Sequence, residues 1–175
     1  TNKGMDRSIR EGKLAARETS TPRCAAIVGP YLSGKTSLLE SILNACGALS
    51  RKGSVGDGNT AGDSSPEARA RSMSVELNIA SAQYLGEDWT FIDCPGSIEL
   101  AQEALNVIAI ADVAVLVVEP GTEKAIAATR AMKELDRAGL PYIIFINKMD
   151  GIEARVKVTL EALQGLTERP LMLRE

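Results

Sequence analysis

The chain has 175 residues, 45% of them apolar and 25% charged, a balance that suits one globular domain with a full hydrophobic core. Its net charge of −3 argues against a basic face for nucleic acid, and its lack of any histidine removes that residue as base, acid or metal ligand. Three cysteines (Cys24, Cys46 and Cys94) form no metal-like pair, and their odd number fits a reduced, cytoplasmic protein. No apolar run approaches the ~18–20 residues needed to span a bilayer, so no membrane role is expected.

Residues 1–21 read as a polar N-terminal arm without a secretory signal, and residues 1–4, ahead of Met5, are expected to be a cloning remnant. Arg23 to Val28 (RCAAIV) is a short apolar run ending in glycine, the pattern of a buried parallel strand. The stretch KTSLLESILNACG then sets Leu39, Ile42, Leu43 and Cys46 on one helical face, closed by Gly47. From Ala48 to Arg71 all periodicity is lost, as in a functional or disordered connection. In SVELNIASAQYL the alternation of Val75, Leu77 and Ile79 predicts a half-buried strand, with WTFID as its hairpin partner after Gly86. A helix over Ile98 to Ile110, the strand DVAVLVVE, a helix over Glu123 to Ala138 and the strand YIIFIN follow. The last helix is expected over Ile152 to Leu166, with Ile152, Val156, Leu160 and Leu163 on one stripe, and LMLRE reads as the start of a further strand. Strands alternating with helices predict an α/β fold, a mostly parallel sheet with one antiparallel hairpin strand and helices on both faces. Residues 22–175 are expected to form that domain.

In such sheets ligands bind outside the carboxyl ends of the strands, and three of these ends carry polar signatures. The first is GPYLSGKT, running Gly29, Pro30, Tyr31, Leu32, Ser33, Gly34, Lys35, Thr36, with Ser37 next. Its glycines let backbone N–H groups converge on phosphate oxygens at the positive end of the following helix. Lys35 can reach the β- and γ-phosphates, and the Thr36 hydroxyl can ligate Mg²⁺. The bland alternative is a chance Gly-rich turn with a solvated Lys35.

The second is DCPG, where Asp93 can hold Mg²⁺ through water and the Gly96 N–H can sense a γ-phosphate; alone, such a sequence is an ordinary turn. The third is NKMD, Asn147 to Asp150. Guanine offers two adjacent donors, N1–H and its exocyclic amine, which match the two oxygens of Asp150; adenine presents an acceptor there instead. Lys148 can lie along the base plane while Asn147 ties loops together. Asp150 could equally cap a helix beginning near Ile152. The order of the three motifs, each ending a core strand, points to a P-loop fold holding GTP or GDP with Mg²⁺.

With the long loop before the second strand, these motifs resemble the translational GTPases, and most nearly the N-terminal G domain of elongation factor G. DGNTAGDSSPEARARSMSVE, WTFIDCPG, ADVAVLVVEPGT and PYIIFINKMDG carry the resemblance, which covers roughly Ser8 to Glu175. It implies a ribosome partner, a monomer, and a second guanine-loop motif and further domains beyond Glu175. RSMSV resembles the family's switch stretch, which puts Ser74 where a threonine hydroxyl ligates Mg²⁺. Arg69 and Arg71 are either phosphate or ribosomal RNA contacts or solvated charges.

The departures are as informative. Pro30 and Leu32 stand where the family carries histidine and aspartate in the phosphate loop. Ser97 follows DCPG where the family carries the histidine that positions the attacking water. A water-positioning or general-base group contributes about 10²–10⁴ in rate, so the resemblance implies binding with weakened hydrolysis. Lys35, Thr36 and Ser97 are the candidate catalytic positions. Two other readings stay open: a non-hydrolysing guanine-nucleotide switch, and an ATP-dependent P-loop enzyme in which NKMD is accidental.

Overall fold

The computed structural model describes residues 23–49, 53, 77–96, 101–150 and 155–174. The N-terminal arm, Ser74, Val75, Arg69, Arg71, Ser97 and Ile152 lie outside these residues, as does nearly all of the aperiodic stretch after Ala48. Five strands form one sheet: β1 (Arg23–Val28), β2 (Asn78–Tyr84), β3 (Glu87–Asp93), β4 (Val113–Val118) and β5 (Tyr142–Ile146). The helices are α1 (Lys35–Ala45), α2 (Ala101–Ile108), α3 (Thr122–Ala127), α4 (Thr129–Ala138) and α5 (Arg155–Gln164).

Strand order is β2-β3-β1-β4-β5, with β1 parallel to β3 and β4, β4 parallel to β5, and β2 antiparallel to β3. The β1 and β4 segments are nearly continuous apolar runs because both faces of a central parallel strand are covered. Alternate residues of β1 therefore serve opposite layers. Ala25 and Ile27 pack with Leu39 and Leu43 of α1 and with Val115 and Val117. Ala26 and Val28 pack on the other side with Val107 and Ile108 of α2, Met132 and Leu135 of α4, and Leu163 of α5. This is the three-layer arrangement expected. Leu85 and Gly86, both at positive φ (51° and 83°), make the two-residue turn that folds β2 back onto β3.

Four details differ from the sequence reading. Ile79 keeps its place in the alternation but is 67% exposed, because β2 is an edge strand; the residues β2 buries or half-buries toward α1 are Ala82 and Ala80. The helix expected over Glu123 to Ala138 is two helices parted at Ala128, whose N–H bonds back only three residues to Ala125 in a tight turn. The helix expected to reach Ile110 ends at Ile108, and Ile110 is exposed. The residues of LMLRE up to Arg174 pair with no strand among the described residues; Met172 and Leu173 are exposed, and the Leu171 N–H donates to Gln164 Oε1 at 2.8 Å.

Candidate functional site

The carboxyl ends of β1, β3 and β5 lie on one edge of the sheet, as parallel pairing requires, and they bring GPYLSGKT, DCPG and NKMD together. Gly29 follows directly on β1. Tyr31 and Leu32 are exposed at the tip of the loop, and Leu32 takes the left-handed conformation (φ 59°). Beneath them Ser33 is buried, and its Oγ has no hydrogen-bond partner among the described residues. Gly34 caps α1 with φ 92°, and an added Cβ there would collide with Asn147 Nδ2. So the second glycine of the motif serves two needs: the left-handed turn into the helix and the close approach of Asn147.

Lys35 and Thr36 open α1 and are both buried. The Lys35 ammonium donates to the Pro30 carbonyl at 3.0 Å, curling back over the loop it follows. Burial lowers its pKa, and the charge of Asp93 opposes that shift. The Thr36 hydroxyl donates to Asp93 Oδ2 at 2.6 Å, joining the first turn of α1 to the end of β3. Gly96 passes so close that an added Cβ would meet Lys35 Nζ at 2.5 Å and the Pro30 carbonyl oxygen at 2.9 Å. DCPG is thereby pressed against the lysine of the phosphate loop. Ser37 lies exposed in the first turn of α1. Cys94, between Asp93 and Pro95, is buried, and burial together with the Asp93 charge pushes its thiol up to about 12.

NKMD is bolted to GPYLSGKT by two side chains. Asn147 Nδ2 donates to the Ser33 carbonyl at 2.9 Å, and Lys148 Nζ donates to the Leu32 carbonyl at 2.7 Å. Lys148 itself sits at φ 57°, an uncommon conformation for a residue with a side chain. Asp150 is exposed on the same loop.

For a triphosphate with its metal, the fit rests on two observations. Thr36 and Asp93 are hard oxygen donors touching one another, a set suited to Mg²⁺, which takes one or two protein oxygens beside nucleotide phosphates and water. Ser33 Oγ is buried in the wall of the loop and has no partner among the described residues. Among the described residues no three or more Cys, Asp or Glu side chains cluster to form an all-protein metal cage.

Three residues escaped the sequence reading. Glu119, just after β4, bonds Lys148 Nζ at 2.6 Å and Lys124 Nζ at 3.2 Å. Burial works to raise its carboxyl, but the two ammonium groups outweigh it and hold it below the ordinary value. Its place, directly after the strand that pairs with the one leading into NKMD, is the signal that could have found it. Glu40, fully buried in α1, accepts the Gly53 N–H at 2.8 Å and so ties Gly53 to that helix. Thr159 of α5 accepts the Gly121 N–H at 2.7 Å ahead of α3. Neither could be read from periodicity, which treats a polar residue on a helix as solvated.

The model of the elongation factor Tu GTP-binding domain matches residues 21–171. The chain belongs to that family. An elongation factor G-like protein of Synechocystis is 47% identical over 150 residues, covering 86% of this chain and 22% of that protein. Elongation factor G 2 of Streptomyces coelicolor is 33% identical over 75% of this chain and 19% of its own length. A crystal structure of a Thermus thermophilus protein superposes with a TM-score of 0.75 at 31% identity, over 82% of this chain and 22% of that one. The chain thus spans about a fifth of the length of these relatives and carries their translational-GTPase G-domain fold.

Proposed function

We propose that this chain is the guanine-nucleotide-binding domain of an elongation factor G-like GTPase that works with the ribosome in the cytoplasm. One observation carries the reading: Asn147 and Lys148 bond the backbone of Ser33 and Leu32, so the motif that would read the base is fixed to the loop that would hold the phosphates. An accidental NKMD in an ATP enzyme gives no reason for that clasp. Gly29 to Ser37, Asp93, Gly96, Asn147, Lys148 and Asp150 would bind GTP or GDP. Thr36 and Asp93, with Ser74 from the long loop, would hold Mg²⁺, which supplies charge neutralisation at the phosphates. The ribosome and the cytoplasm come from the relatives' identity as translation factors. Hydrolysis would be slow, because Ser97 stands where the family places its water-positioning histidine. The lack of any histidine in the chain also supports a second reading, a switch that changes shape on binding GTP without cutting it.

The test is competition for a fluorescent GDP on the full-length protein. GDP and GTP are expected to displace it and ADP and ATP to fail, since only guanine satisfies both oxygens of Asp150. Asp150→Asn should lose GDP and gain xanthosine diphosphate. Equal displacement by ADP and GDP would sink the proposal, and ribosome-stimulated turnover separates the GTPase from the silent switch.

A further inference from the structure

Lys148 and Leu32 are both in the left-handed conformation, at φ 57° and 59°, and the ammonium of one bonds the carbonyl of the other. Two uncommon backbone states thus face each other across the contact that joins the guanine loop to the phosphate loop. Something must hold the lysine there, because an exposed lysine on a flexible stem has several alternative rotamers and full hydration available. Glu119 is that group. Its side chain is only 15% exposed, against 51% for Lys148, so it is the fixed member of the pair. One carboxylate oxygen takes Lys148 at 2.6 Å, and the other takes Lys124 of α3 at 3.2 Å. Val118, the preceding residue, pairs with Ile146 and accepts the Asn147 N–H at 2.8 Å, so the sheet fixes the backbone on both sides of the contact.

We propose that Glu119 is a positioning residue for guanine-nucleotide retention, holding Lys148 against Leu32 so that the base platform and the phosphate loop stay in register. This rests on the guanine-nucleotide reading above. A simple charge account makes the opposite prediction. Glu119 is an acid set between two lysines, so removing its charge makes the site more positive and should tighten a polyanionic ligand. If Glu119 positions Lys148, removing its charge loosens that ligand instead.

The experiment follows release of a fluorescent GDP from the full-length protein by stopped flow. Glu119→Gln is expected to speed release about tenfold, the scale of one charge-assisted hydrogen bond. Lys148→Met keeps the aliphatic stem and removes the ammonium. In that background, Glu119→Gln should change release less than twofold, whereas a loss of general stability would speed it equally in both backgrounds. Hydrogen exchange of the nucleotide-free protein over residues 147–149 should rise in Glu119→Gln and rise no further in the double variant. Release that is unchanged or slower in Glu119→Gln overturns the proposal, as does full additivity, while the guanine-nucleotide reading stands. Failure of the wild-type protein to bind GDP sinks both.

Discussion

Thr36 Oγ1 and Asp93 Oδ2 lie 2.6 Å apart, a hydroxyl-to-carboxylate bond between the first turn of α1 and the last residue of β3. Both residues are buried, so the bond is made in a medium where losing it is costly. It also places two oxygens where the first turn of α1 meets the carboxyl end of β3. Thr36→Val keeps the side-chain shape and removes the donor. It should destabilise the nucleotide-free protein by ~1.5–3 kcal/mol, the range for hydrogen bonds to charged groups. Urea unfolding reads that loss. The same variant should remove the dependence of GTP affinity on Mg²⁺, while Thr36→Ser keeps both properties. A Thr36→Val protein of unaltered stability and metal dependence would show that this contact is incidental.

Lys35 supplies a cleaner separation of stability from function. Burial lowers its pKa against the pull of Asp93, so folding places an ammonium group where its charged form is disfavoured. With a folded value below the ordinary 10.5, the unfolded state binds more protons between the two values, and stability rises with pH across that window. Phosphate oxygens would reverse the balance by giving the ammonium an anionic partner. Lys35→Met should therefore leave the nucleotide-free unfolding midpoint unchanged or raised, flatten its rise with pH at the alkaline end, and abolish GTP binding. A large fall in the midpoint of Lys35→Met would show that the ammonium stabilises the empty fold.

The core and the site differ in how far the sequence exposes them. RCAAIV and DVAVLVVE could be read as central strands because their apolar runs are dictated by burial on both faces. The convergence of the three motifs could be read because parallel strands bring their carboxyl ends to one edge of the sheet. Edges and junctions were not legible. Ile79 has the pattern of a buried residue, but its burial depends on whether a neighbour covers an edge strand, which no local period encodes. Ala128 is a good helix former at the break between two helices, and the i−3 bond that parts them depends on how α3 and α4 pack. Glu119 illustrates the same limit within the site, since its partner Lys148 is 29 residues away and the pairing appears only when β4 and β5 align.

Cys94 reports on the electrostatics of DCPG without any nucleotide present. Its thiol is pushed up to about 12 by burial and by the charge of Asp93. At pH 8 only about one molecule in ten thousand would carry the thiolate. Iodoacetamide should accordingly modify Cys94 at least 10²-fold more slowly than an unperturbed cysteine near 8.5, with a rate that climbs with pH rather than levelling near 9. The sign for stability follows from the raised folded value. The contribution is fully present below the ordinary cysteine value of 9.0 and is lost as pH rises toward 12. Peptide mapping after timed alkylation checks this. Rapid labelling of Cys94 in the native protein at pH 8 would contradict the buried, anion-flanked site.

The remaining prediction concerns whether the phosphates are cut. Lys35 is held over the phosphate loop and Gly96 is pressed against it, so the parts that would neutralise charge on the leaving oxygens stand together. Those parts act on the leaving side of the γ-phosphate. Fast hydrolysis also needs a group to orient the attacking water, and such a group contributes about 10²–10⁴ in rate. The position after DCPG is Ser97, whose hydroxyl is short and weakly basic, and the chain has no histidine to replace it. Single-turnover GTP hydrolysis by the full-length protein should therefore be very slow alone and only weakly stimulated by ribosomes. Ser97→His should leave GTP affinity within about twofold, because the proposed nucleotide-binding residues do not include Ser97 and the substitution adds only a water-positioning group. On ribosomes it should speed the chemical step by at least tenfold if the rest of the site is competent. A wild-type rate on ribosomes already equal to that of an ordinary elongation factor G, with no gain from histidine, would mean that another group positions the water and that Ser97 does not limit the reaction.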